Sequence, residues 1–223
     1  MQSTFPPFWI IAGDLHGKLG RLDDIPGLST AAGILITGDI TTAGGAASAR
    51  NLLEKIQRRN PRVLALFGNM DRSDTAEWLE ETGQGLHRKV FELTPETAVM
   101  GLGGSNFTPF GTPSEFSEAS LEAWLEDMWR KARAYRQVIL LSHTPPYGTK
   151  CDHIGNGRHA GSQAVRNFIL ECQPAACLCG HIHEARAEDM LGKSLIVNPG
   201  SLNAGGYAVL TPGHTPLAAR HLL

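Results

Sequence analysis

The chain has 223 residues, 42% of them hydrophobic and 19% charged, with a formal net charge of -2 at pH 7. So neutral a balance, with a pI near 6.5, offers no basic field to follow a phosphate backbone, which excludes a non-specific binder of duplex DNA or RNA. The length suits a single domain over residues 1–223, since α/β domains of roughly 200 to 250 residues are ordinary.

The amino terminus, MQSTFPPFWI, carries no positively charged leader, and the apolar stretch that follows is broken by Gly13 and Asp14. The expectation is therefore neither a signal peptide nor a membrane span, and a cytoplasmic protein. The run FWIIAGDLH ends in Gly and then Asp14 and His16. The same pattern returns four times: ILITGD ends on Asp39, VLALFGN on Asn69, VILLSH on His143, and ACLCGHIH on His181 and His183. Read as buried parallel strands, these runs place seven polar side chains along one edge of a sheet, at the strands' carboxyl ends. Open α/β sheets carry their chemistry at that edge.

Between these runs the pattern predicts helices and short strands. A helix over 46–59 stops at Asn60 and Pro61, and a short one over 74–81 is capped by Ser73. Strands follow at 90–93 and 98–102, then a Gly-, Pro-, Ser- and Thr-rich loop at 103–117. Amphipathic helices are expected over 118–135 and 162–172, and short strands at 187–191, 194–197, 207–210 and 218–222. Two β-layers flanked by helices follow from this order. GLGGSN (residues 101–106) lacks the third spaced Gly and the helix start of a dinucleotide loop, and reads as a strand end turning into a loop over the site. Trp124 and Trp129 read as packing.

Polar groups crowded at a sheet edge cost desolvation unless something pairs them, and a pair of divalent ions would. Asp14 and His16, two apart where the chain turns at Gly17, can face one ion. Asp39 has two oxygens able to bridge cations roughly 3.5 to 4 Å apart. Asn69 adds a neutral oxygen and His143 a nitrogen, while His181 and His183, about 6 to 7 Å apart at their alpha carbons if extended, can reach separate ions. Two divalent ions bring four positive charges. Asp14 and Asp39 remove two and a bridging hydroxide a third, so one remains for an anionic phosphate. Nitrogen and oxygen ligands without thiolate suit Mn²⁺, Fe²⁺ or Zn²⁺. The four cysteines, Cys151, Cys172, Cys177 and Cys179, form no disulfide framework. Cys-x-Cys at 177–179 lacks the turn of a tetrahedral zinc site, so these thiols read as packing.

The series DLHG (Asp14 to Gly17), GD (Gly38, Asp39), GNMD (Gly68 to Asp71), SHTPP (Ser142 to Pro146) and GHIH (Gly180 to His183), with VNPGS (Val197 to Ser201) after it, resembles the calcineurin-like metallophosphoesterases in order and spacing. The resemblance spans about residues 9–210 and looks closest to the small bacterial and archaeal phosphoesterases. It implies a four-layer α/β/β/α sandwich. It also implies one metal on Asp14, His16, Asp39 and His183 and a second on Asp39, Asn69, His143 and His181. In most of that superfamily the residue after the motif Asn is a His that contacts phosphate and protonates the leaving oxygen, whereas here it is Met70, whose thioether can do neither.

The substitute is sought in CDHIGNGRHAGS (residues 151–162), where His153 and His159 are candidates for a catalytic or phosphate-contacting role. Asp71 reads as orienting a neighbour. His87, His214 and His221 lie outside the motifs and read as surface or core-edge residues. The functional expectation is a dinuclear phosphoesterase in which a metal-bridging hydroxide attacks a small phosphodiester in line. Asp39, Asn69 and His143 are its catalytic ligands. A monoesterase of the same mechanism is the alternative, single-strand nuclease activity ranks third, and a non-catalytic interaction scaffold is the reading from another class. A homodimer is expected from the resemblance alone, and no membrane partner.

Overall fold

A computed structural model of the chain describes residues 7–213 and 218–223, so His214 and the first six residues of the expected amino terminus lie outside the described residues. Among the described residues, no helix is long and apolar enough to cross a membrane.

The strands are β1 (Trp9–Ala12), β2 (Gly33–Ile36), β3 (Val63–Ala65), β4 (Val90–Thr94), β5 (Thr97–Leu102), β6 (Ser105–Asn106), β7 (Glu115–Phe116), β8 (Gln137–Ser142), β9 (Ala176–Leu178), β10 (Ala187–Leu191), β11 (Ser194–Asn198), β12 (Gly206–Leu210) and β13 (Ala218–Leu222). The helices are α1 (Ala46–Gln57), α2 (Ser73–Glu81), α3 (Glu118–Ala132) and α4 (Gln163–Cys172). One sheet runs β13-β12-β1-β2-β3 and the other β10-β11-β9-β8-β5-β4, with β6 and β7 paired separately.

Three apolar layers make this a four-layer α/β/β/α sandwich. Residues of one strand parity, such as Trp9, Ile11, Leu35 and Leu64, meet Val99, Ile139, Leu141 and Leu178 of the other sheet in a core between the sheets. Residues of the other parity, Ile10, Ala12, Ile34 and Ile36, pack beneath Leu52, Leu53 and Ile56 of α1 and Leu79 of α2. On the far side, Met100, Leu140 and Cys177 pack under Leu121, Leu125 and Met128 of α3 and Val165 and Ile169 of α4. Strands buried on both faces must be apolar at consecutive positions, which is why the runs WIIA and GILI do not alternate. The buried residues of α1, Ala49, Leu52, Leu53 and Ile56, follow the 3-4 spacing of one helix face.

Two expectations change. The five apolar runs do not share one sheet edge: β1, β2 and β3 belong to one sheet and β8 and β9 to the other. The site therefore lies where the carboxyl ends of two facing sheets converge, a consequence of burying both faces of each run in different layers. Ser73 is inside the first turn of α2, and the N-cap is Arg72, which makes no side-chain cap. Elsewhere the elements fall close to the expected places. Ser117 and Ser162 cap α3 and α4 through hydroxyls that accept from backbone N–H groups, and the loop at 103–117 adds only the two-residue strands β6 and β7. The cysteines are all free, and Cys151, Cys177 and Cys179 are buried in the α3–α4 core. Trp129 packs against Phe168 at 5.7 Å between ring centroids and Trp124 against Phe116 at 4.9 Å, as packing residues do. His221 is exposed and stacks on Tyr207 at 5.0 Å.

Candidate metal centre

The pairing of β1 with β2 continues past the strand ends into the motif loops. The backbone N–H of Asp14 donates to the Gly38 carbonyl (3.0 Å) and that of His16 to the Asp39 carbonyl (3.0 Å). This locks DLHG and GD side by side. Asp14, His16, Asp39 and His181 all have left-handed backbone, with φ of 50°, 45°, 47° and 70°. Asp, Asn and His tolerate that region better than most residues, at a cost of order 1 to 3 kcal/mol each. Four such residues at one place turn their side chains off the strand direction and into a common volume. Two glycines make room for them. A Cβ on Gly68 would collide with Oδ1 of Asp39, and one on Gly38, itself at φ 113°, would press on Nδ1 of His143. Buried Asp71 ties the loops together: its carboxylate accepts from the N–H groups of Ile40 (3.0 Å), Thr41 (2.7 Å) and Gly68 (2.9 Å) and from the Thr41 hydroxyl (2.8 Å).

All seven side chains picked out by the motifs meet here. Ligand atoms of Asp14, His16, Asp39 and His183 lie within 4.8 Å of one another, and so do those of Asp39, His143 and His181. Asn69 joins the second group through Oδ1, 2.9 Å from Nε2 of His143. Asp39 belongs to both groups, with Oδ2 3.6 Å from Nε2 of His16 and Oδ1 3.4 Å from Nε2 of His143.

The contacts make chemical sense with cations between them. Nδ1 of His143 faces the Thr37 carbonyl at 2.9 Å, which can only accept, so Nδ1 carries the proton and Nε2 presents a lone pair. Burial pushes the His143 imidazolium down to about 4, and the ring is neutral at pH 7. That lone pair meets the Asn69 carbonyl oxygen. The Asn69 amide is fixed in this sense because its Nδ2 donates to the Thr112 hydroxyl (2.9 Å), which itself donates to Glu115 (2.6 Å). Two acceptors 2.9 Å apart repel unless a cation lies near both.

His16 and His183 approach Nε2 to Nε2 at 3.0 Å, where a proton on one ring or a shared cation would join them. Oδ2 of Asp14 is fully buried with no hydrogen-bond partner. Burial also raises Asp39 well above the carboxylate range, with the charges of Asp14 and Asp71 adding to it. Burial would raise Asp14 too, but the hydrogen bond from His183 and the neighbouring histidines hold it low. His181 is depressed by burial to about 3 and His16 is lowered by burial, while His183 is raised by its hydrogen bond to Asp14. The lowered imidazoles of His16, His143 and His181, an orphaned carboxylate oxygen and a carboxylate starved of positive charge fit a pair of divalent cations.

Above the cluster opens a cavity of about 1240 Å³, lined by His16, Asp39, Asn69, His181 and His183 at its floor and by Met70. Met70 contributes its backbone N–H to Asp39 Oδ1 (2.9 Å). His159 lines this cavity and also a separate recess with Lys150 and Asp189, whereas His153 lines only that recess. The two rings are 5.5 Å apart. Nδ1 of His159 is held at 2.8 Å by the buried carboxylate of Asp152.

Several contributors were not visible to sequence reasoning. Asp152 accepts from the N–H groups of Gly148, Thr149 and Gly161 as well as from His159. Its position one residue before His153 carried no signal for His159. Thr112 and Glu115, which orient Asn69, lie 43 and 46 residues away from it in a loop without periodicity. Asn198, in VNPGS, is explained by its contacts: Nδ2 donates to the Ile182 carbonyl (2.9 Å) and bridges toward Gly180, steadying the GHIH turn.

The sequence profile of the metallophosphoesterases of the calcineurin superfamily matches residues 83–215. The chain is 33% identical over 193 residues to the uncharacterized protein MJ1162 of Methanocaldococcus jannaschii, covering 83% of this chain and 84% of that one. Its fold is similar to that of TT1561 of Thermus thermophilus, with a TM-score of 0.71, 20% identity, and 98% and 99% of the two chains covered. It is also similar to a dimetal phosphatase from Danio rerio, with a TM-score of 0.59, 13% identity and 93% of each chain covered.

Proposed function

Since the chain belongs to the calcineurin superfamily of metallophosphoesterases, we propose that it hydrolyses a small phosphodiester. Asp14, His16, Asp39 and His183 would hold one divalent cation, and Asp39, Asn69, His143 and His181 a second. The observation that carries this reading is the pair of donor clusters sharing Asp39 at the floor of an open cavity. When bound, such cations supply a deprotonated water as nucleophile and offset the charge growing on the phosphoryl oxygens. Nitrogen and oxygen donors without thiolate suit Mn²⁺, Fe²⁺ or Zn²⁺. With Asp14 and Asp39 ionised and one hydroxide, two divalent ions leave one positive charge, which matches the single charge of a diester. The same reading treats the chain as one domain, because the core between the sheets draws on strands from both ends of the sequence.

The residues of the chain divide the remaining work. Asp39 would serve both cations, and Met70 fixes its Oδ1 from the backbone. Thr37 keeps the proton of His143 on Nδ1, away from the site, and the Thr42 hydroxyl holds Nδ1 of His16 across 3.1 Å. The Met70 side chain cannot give a proton to the leaving oxygen. His159 can: Asp152 holds the proton-bearing Nδ1 and leaves Nε2 as the nitrogen for the substrate. We assign His159 rather than His153 to this role because only His159 lines the metal cavity.

The test is hydrolysis of bis-p-nitrophenyl phosphate beside p-nitrophenyl phosphate and a dialkyl phosphate, with Mn²⁺ added back after chelation, for the wild type, Asp39→Asn and His159→Gln. Diester turnover that requires both metal and Asp39 is expected. His159→Gln should lose roughly 10²- to 10⁴-fold on an alkyl leaving group and far less on p-nitrophenolate. A monoester preference would favour the monoesterase alternative. No turnover of either ester in any metal would sink the catalytic reading and leave the interaction scaffold.

A further inference from the structure

Six large hydrophobic side chains are exposed among the described residues, and three of them, Phe107 (68% exposed), Phe110 (84%) and Tyr147 (41%), rim the cavity that has the metal ligands at its floor. Bare phenyl rings in water are unfavourable, and a slack loop would fold them inward. This loop is not slack. The Glu115 carboxylate accepts from the hydroxyls of Thr108 (2.6 Å) and Thr112 (2.6 Å) and from the Thr112 N–H (2.8 Å), and the Phe110 N–H donates to Thr108 (3.2 Å). Hydrogen bonds from the hydroxyls of Thr108 and Thr112 pull Glu115 down to about 2 against the opposing effect of burial. Ser114 anchors the same loop through its N–H to the Asn69 carbonyl (3.0 Å) and its hydroxyl to the Asp71 carbonyl (2.6 Å). The loop is braced from inside onto the metal-site motif itself, and the two exposed phenyl rings stand on it at the rim of the cavity.

The rest of the wall mixes polar side chains, among them Arg158, Gln163 and Glu184, with apolar surface. Glu118, which also lines the cavity, has its carboxylate occupied by the Ser162 hydroxyl (2.6 Å) and by the N–H groups of Gln163 and Ala164 at the start of α4. Pro109, Pro113, Ile154 and Ile182 add apolar surface. A loop already braced loses little further freedom on binding, and a flat partner gains stacking on each exposed ring.

Resting on the phosphoesterase reading above, we propose that the substrate arm beyond the scissile phosphate is a flat aromatic group, an aryl ring or a nucleobase, held by Phe107, Phe110 and Tyr147. These side chains are then specificity residues that read the non-leaving group.

Two diesters with the same leaving group isolate that arm: bis-p-nitrophenyl phosphate and methyl p-nitrophenyl phosphate, assayed on the Mn²⁺-loaded wild type and on Phe107→Ala/Phe110→Ala. The wild-type ratio of kcat/KM, aryl over methyl, should fall by roughly tenfold in the variant, mostly through KM. Calorimetry with phenylphosphonate and methylphosphonate gives a readout without turnover, in which the wild type should prefer the phenyl compound by roughly tenfold and the variant should not. Equal binding of the two phosphonates by the wild type, or a ratio unmoved by the substitutions, overturns the proposal. So does a dimer that falls apart in the variant while the ratio stays, because the rings would then serve contact between copies. If the phosphonate preference holds while neither ester turns over, the phosphoesterase reading fails and the aromatic subsite stands.

Discussion

Replacing Thr112 with Val removes one hydroxyl and keeps the side chain's shape. In the native structure that hydroxyl accepts from Nδ2 of Asn69 (2.9 Å) and donates to Glu115 (2.6 Å). Asn69 is buried, at 4% exposure, so the freed amide N–H has no ready access to water. An unsatisfied buried donor costs about 1 to 3 kcal/mol, and the amide can escape the cost by rotating, which would turn its N–H toward Nε2 of His143 and its oxygen away from the second donor group. Partners that orient a ligand in this way are typically worth about 10- to 100-fold in metal affinity. We therefore expect the cation on Asp39, Asn69, His143 and His181 to bind about 10- to 100-fold more weakly, or about 1.4 to 2.8 kcal/mol. The site on Asp14, His16 and His183 should stay near its native affinity. Calorimetric titration of chelator-treated protein with Mn²⁺ resolves the two, and Thr112→Ser, which restores the hydroxyl, should restore the second site. Native affinity at both sites in Thr112→Val would refute the claim that this threonine sets the amide.

Gly68→Ala should cost of order 1 to 3 kcal/mol in urea unfolding through overpacking and lower the number of Mn²⁺ ions bound, because the new methyl collides with Oδ1 of Asp39; unchanged stoichiometry would count against Asp39 as the shared ligand. His87, held by burial to about 4 among Phe67, Phe116 and Trp124, with its Nδ1 accepting from the Gly103 N–H, stays neutral in the fold and ionises on unfolding. A folded value below the unfolded one means stability is complete above about pH 6.5 and is lost as pH falls toward 4, by on the order of 3 kcal/mol. The stability gap between wild type and His87→Asn should shrink by that amount between pH 7 and pH 4.

The sequence by itself determined the parts that depend on local chemistry. Strands buried on both faces must be continuously apolar, so β1, β2, β3, β8 and β9 were legible, and so were the polar residues that end them. The 3-4 spacing of α1, α3 and α4 is equally local. What the chain could not disclose is which strands share a sheet, because apolar runs look alike whichever layer they enter; only packing split them between two facing sheets and put the seven ligands where the sheets converge. The left-handed turns at Asp14, His16, Asp39 and His181 and the bracing of Asn69 by Thr112 and Glu115 join residues tens of positions apart. That His159, backed by Asp152, reaches the metal cavity while His153, six residues earlier, does not was likewise decided by the path of one loop across the site. Composition carries no record of that path.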